Sequence, residues 1–322
     1  MLSTLTGPGD HVICQYPTYG QLYLLPEFNG VEISLWAAKE DEGWSWDLDE
    51  LAASIKPTTK AIILKYVHSH IHSHYPMLTQ RSNPNNPTGA LLSNAQLEQI
   101  IAIATQHNIH VFADEVFSPL FFASDASSHP SPLVSLGYPK SVSTGSLSKS
   151  YGLPGLRLGW VVTKDDDLKR KIITARDFTT ISVSQLDDGV GAYALSKAVR
   201  PKLLERNVAL CKQSLDLIGE FVSRNAGRAR WTRPVGAGTA FVQLLGADGK
   251  PLDESAFVAK LAEEGGVSVI PGGHAFGDKE EGDFKGYIRI TLGEPQRLPK
   301  GLKIIEEYLH TARGEASRRP WS

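Results

Sequence analysis

The stretch Thr144-Gly-Ser-Leu-Ser-Lys-Ser-Tyr-Gly-Leu-Pro-Gly-Leu-Arg-Leu-Gly-Trp160 sets Lys149 between two serines and a glycine-rich turn, with Arg157 further along the same run. Small residues let a backbone approach a ligand closely. Ser146 and Ser148 offer hydroxyl donors, and Arg157 offers a planar fork suited to a phosphate. A lysine in such company can form a Schiff base with an aldehyde. The alternative is a surface loop with an ordinary solvated lysine. The surrounding Gly152, Pro154, Gly155, Arg157 and Gly159 weigh against that.

Outward from this stretch, 11–14, 31–35, 61–64 and 109–113 read as strands, the first of them short and buried, and 141–145 and 158–162 read as further short strands. Between them, 94–106 carries Leu97, Ile100, Ile101 and Ala104 as a helical stripe, with Ser93 as N-cap. Strands alternating with helices predict an α/β domain with a mostly parallel sheet, which binds ligands just past its strand ends. Beyond about residue 195 the pattern changes. A long helix at 201–225, a helix at 254–264 and strands at 239–244, 267–270 and 286–292 predict a smaller α+β domain. The expected division is 1–195 and 196–322, with a polar, frayed tail at 314–322.

Composition narrows the class. The chain has 322 residues, 41% of them hydrophobic, enough core for two domains. A formal net charge of −2 argues against a general nucleic-acid partner. Cys14 and Cys211 stand too far apart for a disulfide framework or a zinc spacing, which favours a reduced, cytoplasmic setting. No apolar run reaches the length of a membrane span, so no membrane partner is expected. Residues 1–10 lack the basic start and apolar stretch of a signal peptide.

Four further segments carry candidate chemistry. Asn83-Pro-Asn-Asn-Pro-Thr-Gly89 is rich in turn formers. Val111-Phe-Ala-Asp-Glu-Val-Phe117 puts Asp114 at a strand end, where a helix cap is the plainer reading. Pro17-Thr-Tyr19 follows the first strand, and a core tyrosine is its plainer reading. Gly286-Tyr-Ile-Arg-Ile-Thr291 sets Arg289 on an apolar strand, a costly position for a charge without a purpose.

These motifs resemble the class I/II aminotransferases of the fold type I pyridoxal-phosphate (PLP) superfamily, from about Pro8 to Leu292 with gaps. The resemblance implies an α/β major domain with a mostly parallel, seven-strand-type sheet flanked by helices, plus a smaller α+β C-terminal domain. It implies PLP as cofactor, with Lys149 carrying the internal aldimine and Ser146, Ser148 and Arg157 around the phosphate. Asn86 would donate to the phenolic oxygen and Tyr19 would stack on the ring. Asp114 would lie under the pyridine nitrogen and keep it protonated. Arg289 would grip the substrate α-carboxylate. The implied activity is transamination between an amino acid and a keto acid in a homodimer, with Lys149 moving the proton between Cα and C4′. A lyase, a cyclase or an aminocyclopropane-carboxylate-synthase-like elimination is a same-fold alternative. A catalytically impaired PLP-fold protein is another.

The sequence departs from the family pattern in three places. Phe117 stands where the family usually has a tyrosine donor to the phenolic oxygen. The family's Gly/Ser/Ala phosphate turn, upstream of the segment matching Gly7-Pro-Gly-Asp-His-Val12, has no counterpart here, so the chain reads as shortened at its N-terminus. Lys65 to Arg81 intervene between a strand and the asparagine motif that directly follows it in the family.

His68, His70, His72 and His74 alternate within that interposed segment, yet no carboxylate or cysteine shares it, so no metal site is expected. It reads as an insertion loop or as a retained in-frame intron. Lys65-Tyr66-Val67 can be encoded by a run containing GTATGT and Gln80-Arg81 by one containing CAGAG, which resemble a splice donor and acceptor. On the intron reading, transcript sequencing yields a mature message without the histidine run. A mature message that encodes the run makes the segment an insertion loop.

Overall fold

The computed structural model describes residues 2–65, 85–122, 131–277 and 282–311. The histidine run, the first two residues of the asparagine motif and the polar tail lie outside them.

The chain runs α1 (Leu2–Leu5), β1 (His11–Tyr16), α2 (Gln21–Phe28), β2 (Glu32–Ala37), α3 (Leu48–Ala53), β3 (Thr59–Lys65), α4 (Asn94–Gln106), β4 (His110–Asp114), β5 (Ser141–Ser146), β6 (Gly159–Thr163), α5 (Asp166–Asp177) and α6 (Gln185–Ala194). It continues through α7 (Arg200–Arg224), β7 (Ala229–Trp231), β8 (Thr239–Leu244), α8 (Glu254–Gly265), β9 (Ile270–Pro271), α9 (Gly272–Phe276), β10 (Tyr287–Thr291) and α10 (Leu298–Thr311). It forms two compact units, 1–208 with 235–238 and 209–234 with 239–322. They part inside α7, whereas the sequence pattern changes at about 195.

In the first unit the apolar strands form one sheet of order β2-β1-β3-β4-β5-β6. β2, β1, β3, β4 and β5 are parallel, and β6 returns antiparallel to β5. The described sheet thus has six strands, one fewer than the resemblance implies. Side-chain alternation splits its core in two. Ile13, Ile62, Leu64, Val111 and Ala113 pack with Leu97, Ile100 and Ala104 of α4. Val12, Cys14, Ala61, Ile63, Phe112 and Val142 pack with Leu22 and Tyr23 of α2 and Leu168 of α5.

Local chemistry fixes the ends of these elements. Ser93 caps α4 through a capping box, its Oγ accepting from Gln96 N–H at 3.1 Å while Gln96 Oε1 accepts from Ser93 N–H at 2.9 Å. Gly145 lets β5 and β6 close up, since a Cβ there would lie 2.4 Å from the Trp160 indole. Gly152, at φ +66°, supplies the left-handed turn after Lys149.

Glu115, next after Asp114, turns its carboxyl into the core. Its Oε1 accepts from Leu133 N–H at 3.1 Å and from Ser143 Oγ at 2.9 Å. Burial pushes its pKa up to about 8, against the opposing pull of those hydrogen bonds.

The second unit holds an antiparallel sheet of order β7-β8-β10-β9. Phe241 on β8 stacks on Tyr287 of β10 at 4.4 Å and meets Phe276 edge-on. The expected strand at 267–270 shrinks to the two residues of β9, because only Ile270 and Pro271 pair with β10.

Two stability outcomes follow. Ser93→Ala removes the α4 cap and should cost about 1 kcal/mol in chemical denaturation. Glu115 holds its proton in the folded protein at pH values where the unfolded chain has released it, so stability should fall as pH rises from 4.5 to about 8. Glu115→Gln should flatten that decline in urea midpoints measured across the range, and an unchanged slope would assign it to other groups.

Candidate active site

The parallel strands end together at one edge of the sheet. Tyr16 closes β1, Lys65 closes β3, Asp114 closes β4 and Ser146 closes β5. Open α/β sheets take their ligands beyond this edge.

The segments past these ends are tied to one another. Asn85 Nδ2 donates to the Pro17 carbonyl at 2.9 Å, linking the asparagine motif to the segment carrying Tyr19. Asn85 and Asn86 are both buried, while Tyr19 is 49% exposed. Ser150 Oγ donates to the Val116 carbonyl at 3.2 Å, which fastens the Lys149 turn to the end of β4. Asn207 Nδ2 donates to Ser150 O at 2.9 Å from α7.

Within the Lys149 turn, Ser146 Oγ accepts from Ser148 N–H at 3.0 Å and lies 2.9 Å from Ser148 Oγ. The two hydroxyls therefore face each other. Lys149 is exposed. Arg157 is exposed as well, and its Nη1 donates to the Pro154 carbonyl of its own turn at 3.0 Å.

Asp114 forms the polar centre. Its Oδ1 accepts from Val116 N–H at 3.2 Å, and its Oδ2 lies 2.5 Å from Lys65 Nζ. The side chains of this ion pair are only 11% and 2% exposed. Phe117 presents its ring to two ammonium groups, Lys65 at 5.1 Å and Lys149 at 6.0 Å from the centroid. Burial lowers the Lys65 pKa, Asp114 opposes that, and Lys149 adds to it.

Lys65, the first residue of the interposed segment, is not among the residues that the family motifs single out. Its one signal in the sequence is a lysine closing an apolar strand; the register that sets it beside Asp114 comes from the sheet. Buried polar atoms cluster on the neighbouring segments. Gln15 Nε2, Thr18 Oγ1 and Asn85 Oδ1 have no hydrogen-bond partner among the described residues. A polar ligand with several acceptors and donors suits such a wall.

Arg289 belongs to the second unit, on β10 opposite Phe241. It lies 5.4 Å over the Phe276 ring, and burial lowers its pKa. Among the described residues, no His, Cys, Asp and Glu group assembles that could hold a metal ion. No described helix is long and apolar enough to cross a membrane.

The family model for aminotransferase class I and II matches residues 1–305. A PLP-dependent aminotransferase from Streptococcus suis 89-1591 superposes with a TM-score of 0.81 at 31% identity, over 98% of this chain and 74% of that one. Capreomycidine synthase of Streptomyces vinaceus is 27% identical over 95% of this chain and 70% of its own length. Human tyrosine aminotransferase is 29% identical over 97% of this chain and 65% of its own length. The chain spans about half to two-thirds of several curated relatives, down to 51% of a barley nicotianamine aminotransferase. By the extent of the family match and the shared fold, the chain belongs to the class I and II aminotransferases, a family whose cofactor is pyridoxal phosphate.

Proposed function

We propose that this chain transaminates an amino acid with a keto acid, using PLP held through the amine of Lys149. The observation that carries the reading is that the exposed Lys149 and the buried Asp114 lie at the C-terminal edge of one parallel sheet, with Lys149 Nζ over the Phe117 ring that also receives Lys65, the ion-pair partner of Asp114. The buried carboxylate, the facing serine hydroxyls and the unpartnered atoms of Gln15, Thr18 and Asn85 suit a flat polar heterocycle bearing a phosphate.

Bound PLP supplies an aldehyde that condenses with amines and a ring that draws electron density from the substrate Cα. The residues then divide the work. Asp114 would hold positive charge at the ring nitrogen. Asn86 would give a neutral hydrogen bond to the phenolic oxygen, and Phe117, lacking a hydroxyl, would add none. Tyr19 would cover a ring face. Ser146, Ser148 and Arg157 would hold the phosphate. With its amine free, Lys149 would take a proton from substrate Cα at its Nζ and return it to the cofactor's C4′. By the family resemblance, Arg289 would hold the substrate α-carboxylate with its planar fork.

A second reading is another PLP reaction at the same site. It draws support from capreomycidine synthase, a relative whose name denotes a synthase rather than an aminotransferase. We also propose a homodimer working in the cytoplasm. Exposed apolar side chains on β6 and α6, namely Trp160, Val161, Val162, Leu186, Val190 and Tyr193, support an apolar interface. Two free cysteines support a reducing compartment.

Purified protein mixed with PLP should gain a visible absorbance band that Lys149→Ala abolishes. Amino acids should bleach the band and keto acids restore it. A band that survives Lys149→Ala would remove Lys149 from its role. Bleaching without restoration would favour the second reading.

A further inference from the structure

β3 and β4 run parallel in a register that sets Lys65 beside Asp114. The contact is an ion pair of 2.5 Å between Nζ and Oδ2, with both side chains buried. The other carboxylate oxygen already accepts from Val116 N–H at 3.2 Å. Lys65 is itself held in place. Its backbone N–H donates to Gln15 Oε1 at 2.9 Å, and its Nζ lies over the Phe117 ring. An ammonium therefore occupies the charge that the cofactor reading reserves for a protonated ring nitrogen.

We propose that Lys65 is an internal rival of the cofactor's ring nitrogen for the Asp114 carboxylate, so that loading PLP requires this ion pair to be given up. The inference rests on the cofactor reading above and concerns how the site discriminates and how tightly it binds. One buried carboxylate balances one cation. A pyridinium entering beside Lys65 meets a partly neutralised partner and a like charge, in a pocket that already faces Lys149. The ring nitrogen is then held strongly only if the Lys65 side chain swings away or loses its proton. Burial, which already favours neutral Lys65, makes the second route accessible. Lys65 acts here through Asp114, as a positioning residue.

The test compares the dissociation constants of PLP and of an analogue carrying carbon in place of the ring nitrogen, read by fluorescence quenching. Wild-type protein should bind the two within a few-fold of each other, because the cost of taking Asp114 from Lys65 offsets what the ring nitrogen gains there. Lys65→Met should bind PLP about ten- to a hundredfold more tightly than wild type, the range of one charge-assisted hydrogen bond, and should leave analogue binding little changed. PLP should also raise the melting temperature of Lys65→Met more than that of wild type. A wild-type protein that already prefers PLP over the analogue by more than about tenfold overturns the proposal without recourse to any variant. So does a Lys65→Met protein with unchanged or weaker PLP affinity. Failure of both proteins to bind either compound overturns the cofactor reading along with it.

Discussion

Parallel strands buried on both faces and ending flush at one edge govern this molecule. The core on either side leaves β1, β3 and β4 no freedom of register, since a one-residue slip would drive Ile62 and Ile63 into each other's layers. That fixed register brings Asp114 beside Lys65. It also sets the Lys149 turn, leaving β5, within reach of the end of β4 through the Ser150–Val116 hydrogen bond. Every candidate group of the first unit hangs from an element whose position is decided by this packing rather than by the groups themselves.

The electrostatics at that edge is unusual in its economy of carboxylates. Two acids follow one another, and the strand end sends them to opposite fates. Asp114 faces the edge and carries an ion pair, while Glu115 turns into the core, where burial raises its pKa to about 8. One negative charge therefore pairs directly with Lys65, and the Phe117 ring lies within about 6 Å of both Lys65 and Lys149. Phe117 sits where the family usually presents a tyrosine. Its ring offers a weakly negative face to both ammonium groups and no hydroxyl to either. Charge at the site depends on which cation Asp114 serves.

Much was legible in the residues. The Lys149 stretch, the asparagine motif and Asp114 pointed to one family, and the family match agrees with that reading. The α4 cap and stripe were readable because capping and periodicity are local properties. Less local elements were harder. The strand expected at 267–270 is mostly unpaired, because strand length depends on a partner the sequence does not name. The change of pattern near 195 does not coincide with the division of the chain into units, which falls within a helix whose own periodicity is continuous.

By itself, then, the sequence determined the chemistry available here, namely a lysine in a glycine- and serine-rich turn, an acid closing an apolar strand and an asparagine motif rich in turn formers. These are properties of residue type and spacing, which short motifs carry. Only the tertiary structure decided which charges meet. Lys65 and Asp114 lie far apart in the chain, on separate strands, and become partners through strand order and register. Those are set by the summed burial of the whole sheet, a quantity no single motif contains. The lysine that opened the reading was found from its neighbours in sequence, and the lysine that competes for Asp114 only from its neighbour in space.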